Sequence, residues 1–345
     1  MAHLKQDSVA DRTIAVFGAY GHTGRFVVSE LRRRGWTPVL CGRDPEKLAI
    51  LGASHPGLQL RIASIDDPAA LDRALAGAAA VINCAGPFLD TAPPLIEAAL
   101  RARIHYLDLA AEQGAVIATF ERFSEAAHDA GIAVIPAMAF YGGLGDLLAT
   151  AAMGDWADAD EVRIAIALDS WWPTRGTRLT GARNTAKRLV VSDNRLQAIA
   201  DPPPTRSWDF PAPFGTLEVV GLPLSEIITM SRHLQSPEIH AYMNLEPLKD
   251  LRDPQTPAPT PADARGRSSQ KFLVDVVVRK GSGQRRAVAH GRDIYAVTAP
   301  LVVEAALRVV TGRGKTTGVA TAGEIFDARD FLGSLQREDI VVETG

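Results

Sequence analysis

Residues 14–25 read Ile-Ala-Val-Phe-Gly-Ala-Tyr-Gly-His-Thr-Gly-Arg. A short apolar run passes into glycines at 18, 21 and 24, and an amphipathic segment, Phe26 to Arg34, follows directly. That is the pattern of a strand, a tight glycine turn and a helix start. It presents backbone N–H groups and the positive end of a helix dipole to a pyrophosphate. Gly18 allows the sharp turn, Gly21 lets the backbone approach the phosphates, and Gly24 lets the helix pack closely on its strand. Tyr20, His22 and Thr23 fill the turn and are contact candidates with it. Three spaced glycines alone are a weak signal. Their place at the head of a strand-helix alternation strengthens it.

The second strand decides which dinucleotide the turn would serve. Residues 37–43, Thr-Pro-Val-Leu-Cys-Gly-Arg, end in an arginine where an NAD site usually carries Asp or Glu for the ribose diol. Lys47 follows one helical turn later. A guanidinium suits a 2′-phosphate through paired, charge-assisted hydrogen bonds, whereas a carboxylate would repel it. Arg43 and Lys47 therefore point to NADP(H).

A chain of 345 residues is long enough for two domains and a sizeable core. Its net charge of −3 gives no electrostatic reason to expect nucleic acid or an anionic membrane as partner. No apolar run reaches bilayer length. Met1 to Arg12 is polar and lacks an apolar signal core, so cytoplasmic residence is expected. Cys41 and Cys84, near the ends of expected strands, belong to no CxxC pair and read as structural thiols. The eight histidines show no HxxxH or HExxH spacing, so no metal is expected.

After the second strand the alternation continues: helix 44–51, strand 58–63, helix 68–76, a buried strand running into a turn over 80–87, helix 94–103, strand 104–109, helix 117–130 and strand 132–137. Strands and helices in turn, at crossover lengths, mean a doubly wound parallel sheet of the Rossmann type. The grammar then changes. Residues 161–168 and 215–220 read as strands separated by a long irregular stretch, and 271–279 with 285–290 as an antiparallel hairpin across Gly281-Ser282-Gly283. A second α+β domain with a mixed or antiparallel sheet follows from this. Residues 201–214 and the proline-bearing 253–267 look mobile; the second reads first as an exposed loop, with a lid as the alternative. Thr298 to Val310 is an apolar helix expected to return to the first sheet. The division is thus 1–140 with 295–345 for the dinucleotide, and 141–294 for substrate and dimerisation.

The glycine turn, Gly42-Arg43, Asn83-Cys84-Ala85-Gly86-Pro87-Phe88 and His105-Tyr106-Leu107-Asp108-Leu109 together resemble the saccharopine dehydrogenase-like NADP-binding oxidoreductases. Tyr295, Thr298-Ala299-Pro300 and Gly318-Val319-Ala320-Thr321-Ala322-Gly323-Glu324 resemble the ends of the shorter bacterial members, which include trans-acting enoyl reductases. The resemblance implies hydride transfer between NADP(H) and a C=N bond, or a C=C bond in the enoyl reductases, and a homodimer. Two departures stand out. Ala110-Ala111-Glu112 keeps an acid but lacks the family's glycine, and Tyr141 stands where an aspartate is usual.

Ligands of an open parallel sheet sit outside the carboxyl ends of its strands. Asn83, Ala85, Gly86 and Pro87 leave one such end and are expected against the nicotinamide ribose. Asp66 is placed either to meet the adenine amine or to cap the helix that Pro68 begins. Tyr141 follows the last of these strands, where a phenol donates a proton, orients a substrate or serves as a hinge. Glu112 is the better acid for substrate contact than Asp108, and Asp146 is expected to cap its helix. In 170–178, Ser-Trp-Trp-Pro-Thr-Arg-Gly-Thr-Arg, the arginines 175 and 178 (with Arg183 beyond) suit an anion, and Trp171 and Trp172 suit an apolar wall. A dimer interface or a solvated turn is the rival for that stretch. Gly176-Thr177 resembles a pair that family members place near the nicotinamide. The candidate catalytic residues are thus Tyr141, Glu112 and Arg178, with Trp171, Trp172, Arg175 and Thr177 binding a small-molecule substrate. No tyrosine is followed four residues later by lysine, which disfavours a short-chain dehydrogenase. The rivals are an enoyl reductase and a redox sensor that binds NADP(H) without turnover.

Overall fold

The computed structural model describes residues 12–336 and 340–345. The polar segment 1–11, read above for its lack of a signal core, lies outside the described residues. The first sheet is built by β1 (Thr13–Phe17), β2 (Thr37–Gly42), β3 (Leu60–Ile62), β4 (Ala80–Asn83), β5 (His105–Asp108) and β6 (Ala133–Ile135). The helices between them are α1 (His22–Arg33), α2 (Pro45–Ala53), α3 (Pro68–Leu75), α4 (Phe88–Ala102) and α5 (Gln113–Ala130). The strands run in the order 3-2-1-4-5-6, all parallel. The order reverses between β1 and β4, and a doubly wound sheet binds its ligand at that reversal. In β1, Ile14 and Val16 enter one apolar layer while Ala15 and Phe17 enter the other. Burial on both faces explains an apolar run with no alternation.

Two helices begin earlier than the sequence reading placed them, α5 at Gln113 instead of 117 and α4 by six residues. The helix expected from Pro94 begins at Phe88, with Pro93 and Pro94 inside it. Two prolines read as a start signal, but here they forfeit two backbone bonds in the helix's second turn.

Past β6 comes a π-helical turn (Phe140–Leu144), then α6 (Gly145–Met153). The second sheet is mixed: β10 (Thr205–Asp209), β11 (Thr216–Gly221), β12 (Ile239–Asn244), β7 (Glu161–Leu168), β13 (Lys271–Lys280), β14 (Gly283–Arg292) and β16 (Val341–Thr344), in that spatial order. β12 and β7 are parallel and β13–β14 form the expected antiparallel hairpin. A side ribbon of β8 (Leu189–Ser192) and β9 (Arg195–Ala198) joins β12. The stretch expected to be irregular also contains α7 (Arg175–Arg183), and α8 (Ser225–Ser231) and α9 (Glu246–Arg252) follow further on. α7 has no buried residue, so it carries no apolar stripe to betray it.

α10 (Thr298–Val310) is buried on nearly every side and packs on α1. β15 (Gly318–Val319) extends the first sheet beside β6, and α11 (Ala322–Ile325) and α12 (Ala328–Leu335) lie against α6. The C-terminal return to the first sheet does not extend to the chain end, because β16 pairs with β14 instead. Among the described residues no helix is long and apolar enough to cross a membrane.

Candidate active site

The glycine turn is built as its spacing requires. Gly18 has φ +79°, and its N–H and that of Ala19 donate to the Cys41 carbonyl at 2.9 and 3.2 Å. A Cβ on Gly18 would lie 2.9 Å from that of Ala85, so the loops leaving β1 and β4 touch only because position 18 is glycine. A Cβ on Gly24 would sit 2.3 Å from the Gly18 carbonyl oxygen. α1 opens at Gly21 with no side-chain cap and no acid in its first turn, which leaves its N–H groups for an outside acceptor. At the end of β2 the Tyr20 ring lies across Gly42, where a Cβ would meet it at 2.6 Å. Lys47 Nζ is 5.8 Å from the Tyr20 ring centre and 2.5 Å from Asp44, the N-cap of α2. Arg43 is exposed and has no ion pair or side-chain hydrogen bond among the described residues. The acid that follows it is thereby occupied, and the guanidinium is free for a phosphate. These features fit an adenosine 2′-phosphate and a pyrophosphate.

Other cofactor candidates fare differently. Asp66 is exposed beside Ser64, and the cap of α3 is its neighbour Asp67. Asn83 is wholly buried: its amide donates to Thr91 and Tyr106, and its oxygen accepts from the Ala85 N–H at 3.0 Å. It shapes the turn from within, and the contact surface is left to Ala85, Gly86 and Pro87. His22 stands edge-on between Phe26 and Tyr295, and burial lowers its pKa.

A cavity of about 520 Å³ opens from this turn. Thr23, Cys84 and Gly86 line it on the first-sheet side; Tyr141, Trp171 and Thr177 line it opposite. Burial drives the Tyr141 phenol well above its ordinary pKa, and its hydroxyl has no hydrogen-bond partner among the described residues. Gly142 and Gly143 put it there. Side chains at either position would press on Ala137 and Met138, at 2.6 and 3.0 Å.

Glu112 also lines the cavity, but both oxygens are engaged, one by the Phe88 N–H at 3.0 Å and one by the Ala111 N–H at 3.1 Å. Burial raises its pKa. It ties the start of α4 to the end of β5 and is a positioning group, contrary to the catalytic role expected. Arg178 also lines the cavity, while its Nη2 donates to the carbonyls of Asp253 and Thr256, at 3.0 and 2.9 Å, and straps the proline-bearing segment to α7. Arg183 pairs with Asp90. Trp172 and Arg175 lie outside the cavity lining. Asp146 does not cap α6; it is buried, bonded to His233 at 2.6 Å and to the Gly323 N–H at 2.7 Å.

Two lining residues went unread in the sequence. Tyr295 is a hub: Trp171 Nε1 and the Thr174 N–H donate to its oxygen, and Thr177 Oγ1 lies 2.9 Å away. Arg188 is the cavity's remaining arginine and sits in a stretch with no motif.

A family model described as the saccharopine dehydrogenase NADP binding domain matches residues 14–135. This segment is similar to the NADP-binding domain of the saccharopine dehydrogenase family. Its cofactor is NADP(H). Saccharopine dehydrogenase-like oxidoreductases of Homo sapiens and Bos taurus are 30% and 29% identical over 145 residues, 37% of this chain and 34% of theirs. The match therefore spans about a third of the length of those relatives. Apo saccharopine dehydrogenase (L-Glu forming) from Saccharomyces cerevisiae superposes over 97% of this chain and 100% of its own, with a TM-score of 0.68 and 12% identity. That likeness extends the shared fold across the second sheet.

Proposed function

We propose that this protein is an NADP(H)-dependent oxidoreductase that transfers hydride to the C=N bond of a small metabolite. One observation carries the reading: a single cavity is walled by the glycine turns of the first sheet and by Tyr141, Trp171 and Thr177. Bound NADPH supplies the hydride, and the protein supplies orientation and dryness. Arg43 and Lys47 hold the 2′-phosphate, and the first turn of α1 holds the pyrophosphate. The turn at Ala85–Pro87 sets the depth of the nicotinamide, while Trp171 and Phe140 keep water from the reacting carbon. Tyr141, with its proton and no internal partner, is the group placed to protonate a neutral imine nitrogen.

That unpartnered phenol also favours a second reading, NADPH-dependent reduction of a C=C bond, which needs a proton delivered beside the carbonyl. We take residues up to 140 and the helix 298–310 as the cofactor-binding part, and 141–294 as the part for substrate and dimerisation. The reading also holds the protein to be a cytoplasmic homodimer, consistent with two unpaired cysteines. Loss of NADPH absorbance against cyclic imines, keto acid–amine pairs and enoyl thioesters tests the assignment. Turnover in the first two panels supports it, and turnover only of enoyl thioesters replaces it with the second reading. Tight NADPH binding without turnover in any panel makes the protein a sensor.

A further inference from the structure

Arg188 and Glu226 face the same peptide group from opposite sides. Arg188 Nη1 donates to the Pro223 carbonyl at 3.1 Å, and Glu226 Oε1 accepts from the Leu224 N–H at 2.8 Å. The dipole of that peptide is aligned between a cation and an acid that do not touch. Leu224 and Arg188 line the cavity beside Tyr141, whereas Glu226 lies wholly buried behind them, its second oxygen without a partner. The other donors of Arg188 have no partner among the described residues, and the residue lines the cavity. Around them the wall is mainly apolar, with Phe88, Leu109, Phe140, Trp171 and Leu251.

We propose that Arg188 receives the carboxylate of a substrate with an apolar body, and that Glu226 takes up a proton from solvent as this anion binds. The inference rests on the reading of the cavity as the substrate site. In the free protein Arg188 is the one cation acting on Glu226, whose carboxyl burial pushes up to about 7. A bound carboxylate neutralises Arg188, and a second negative charge in the same dry niche becomes unfavourable. Anion affinity is therefore highest with Glu226 protonated and falls as pH rises through neutrality. Four other ionisable groups in the neighbourhood of α8 are engaged elsewhere. Glu112 binds backbone N–H groups, Asp146 holds His233, Glu324 closes a capping box with Thr321, and His240 pairs with Glu238. Tyr141 faces the pair from the π-helical turn and stays neutral.

The test is calorimetry on the full chain saturated with NADP⁺, which occupies the phosphate-binding turn and cannot donate hydride. Phenylpyruvate and octanoate are the probes, and phenylacetone is the neutral control. Binding of a carboxylate is expected to weaken about tenfold per unit of pH above about 7. Titrations at about pH 8.5, where free Glu226 is ionised, in buffers of different ionisation heat should show close to one proton taken up. Arg188→Met should lose roughly 10–100-fold in carboxylate affinity. Glu226→Gln should keep the low-pH affinity at every pH, and both variants should bind NADP⁺ normally. Failure of both carboxylates to bind, undiminished binding by Arg188→Met, or no proton uptake by the wild type each overturns the proposal. The last measurement decides even if a variant does not fold. Carboxylate binding with proton uptake but no NADPH turnover leaves this inference standing and sinks the reductase reading. Turnover of neutral imines without carboxylate binding does the reverse.

Discussion

Gly18→Ala tests the claim that the β1 and β4 loops meet only because position 18 lacks a side chain. Gly131 is the internal control: its φ is +68° against +79° for Gly18, but nothing lies within 4 Å of the Cβ it would carry. Alanine at either site bears the left-handed backbone cost of about 1–2 kcal/mol. At Gly18 the new methyl also meets the Ala85 Cβ at 2.9 Å and backbone atoms of Cys84 and Ala85 at 3.0 Å. Overpacking of this kind adds roughly 1–3 kcal/mol. Gly18→Ala should therefore destabilise by about 2–5 kcal/mol and Gly131→Ala by about 1–2. The additional loss reads as roughly 1–4 °C in the thermal midpoint of a chain of this length. The clash also shifts the loops that would carry the pyrophosphate and nicotinamide. NADPH affinity, followed by quenching of protein fluorescence, should fall at least about tenfold in Gly18→Ala, a difference of about 1.4 kcal/mol. It should not change in Gly131→Ala, which lies at the far end of α5. Equal losses of stability in the two variants, with equal NADPH affinity, would refute the reasoning.

Three other perturbations follow from the same geometry. Arg43→Glu should weaken NADPH binding roughly 10–100-fold, leave NADH nearly unaffected, and so reverse the preference in parallel titrations. Asn83→Leu leaves the Ala85 N–H without its acceptor and removes the donor to Thr91 and Tyr106; denaturant unfolding should show a loss of about 1–3 kcal/mol. Asp108, fully buried, is pushed up to about 6 by burial, against its ordinary 3.8. Because the folded state binds this proton more tightly, stability should fall as pH rises from about 4 to about 6, by on the order of 2–3 kcal/mol at 1.36 per unit. Asp108→Asn should flatten that part of the stability–pH curve, and an unchanged slope would remove Asp108 as its cause.

The parts legible in the sequence are those where local chemistry and tertiary role coincide. The turn at 18–24 has one steric solution, and the apolar strands of the first sheet are buried on both faces, so their pattern survives without tertiary context. The hairpin 271–292 announces itself through Gly281 and Gly283 in the same way. The arginines were legible as charges but not as contacts. Arg175, Arg178, Arg183 and Arg188 look alike in the chain, yet Arg175 is exposed outside the cavity, Arg178 lines the cavity and straps residues 253–256, Arg183 pairs with Asp90, and Arg188 lines the cavity. Which is which depends on partners 75 or more residues away for the middle two, and no local spacing encodes that. Tyr295 was hidden for the same reason, since its partners at 171, 174 and 177 come from a distant segment.

The departure at position 141 is explained by its surroundings. The π-helical turn is pinned by Gly142 and Gly143 against Ala137 and Met138, and by Gly145 against Ile164 and Glu226, so its path admits little adjustment. A side chain at 141 is therefore delivered to one place, between Trp171, Arg188 and Tyr295. A carboxylate there would share a dry niche with Glu226 and Glu112, the situation that forces acids to stay protonated. A phenol avoids the conflict: it is neutral at every working pH and brings ring surface to an apolar wall. The substitution thus exchanges an acid whose charge depends on its neighbours for a donor whose charge does not, and it leaves Glu226 as the cavity's pH-responsive group.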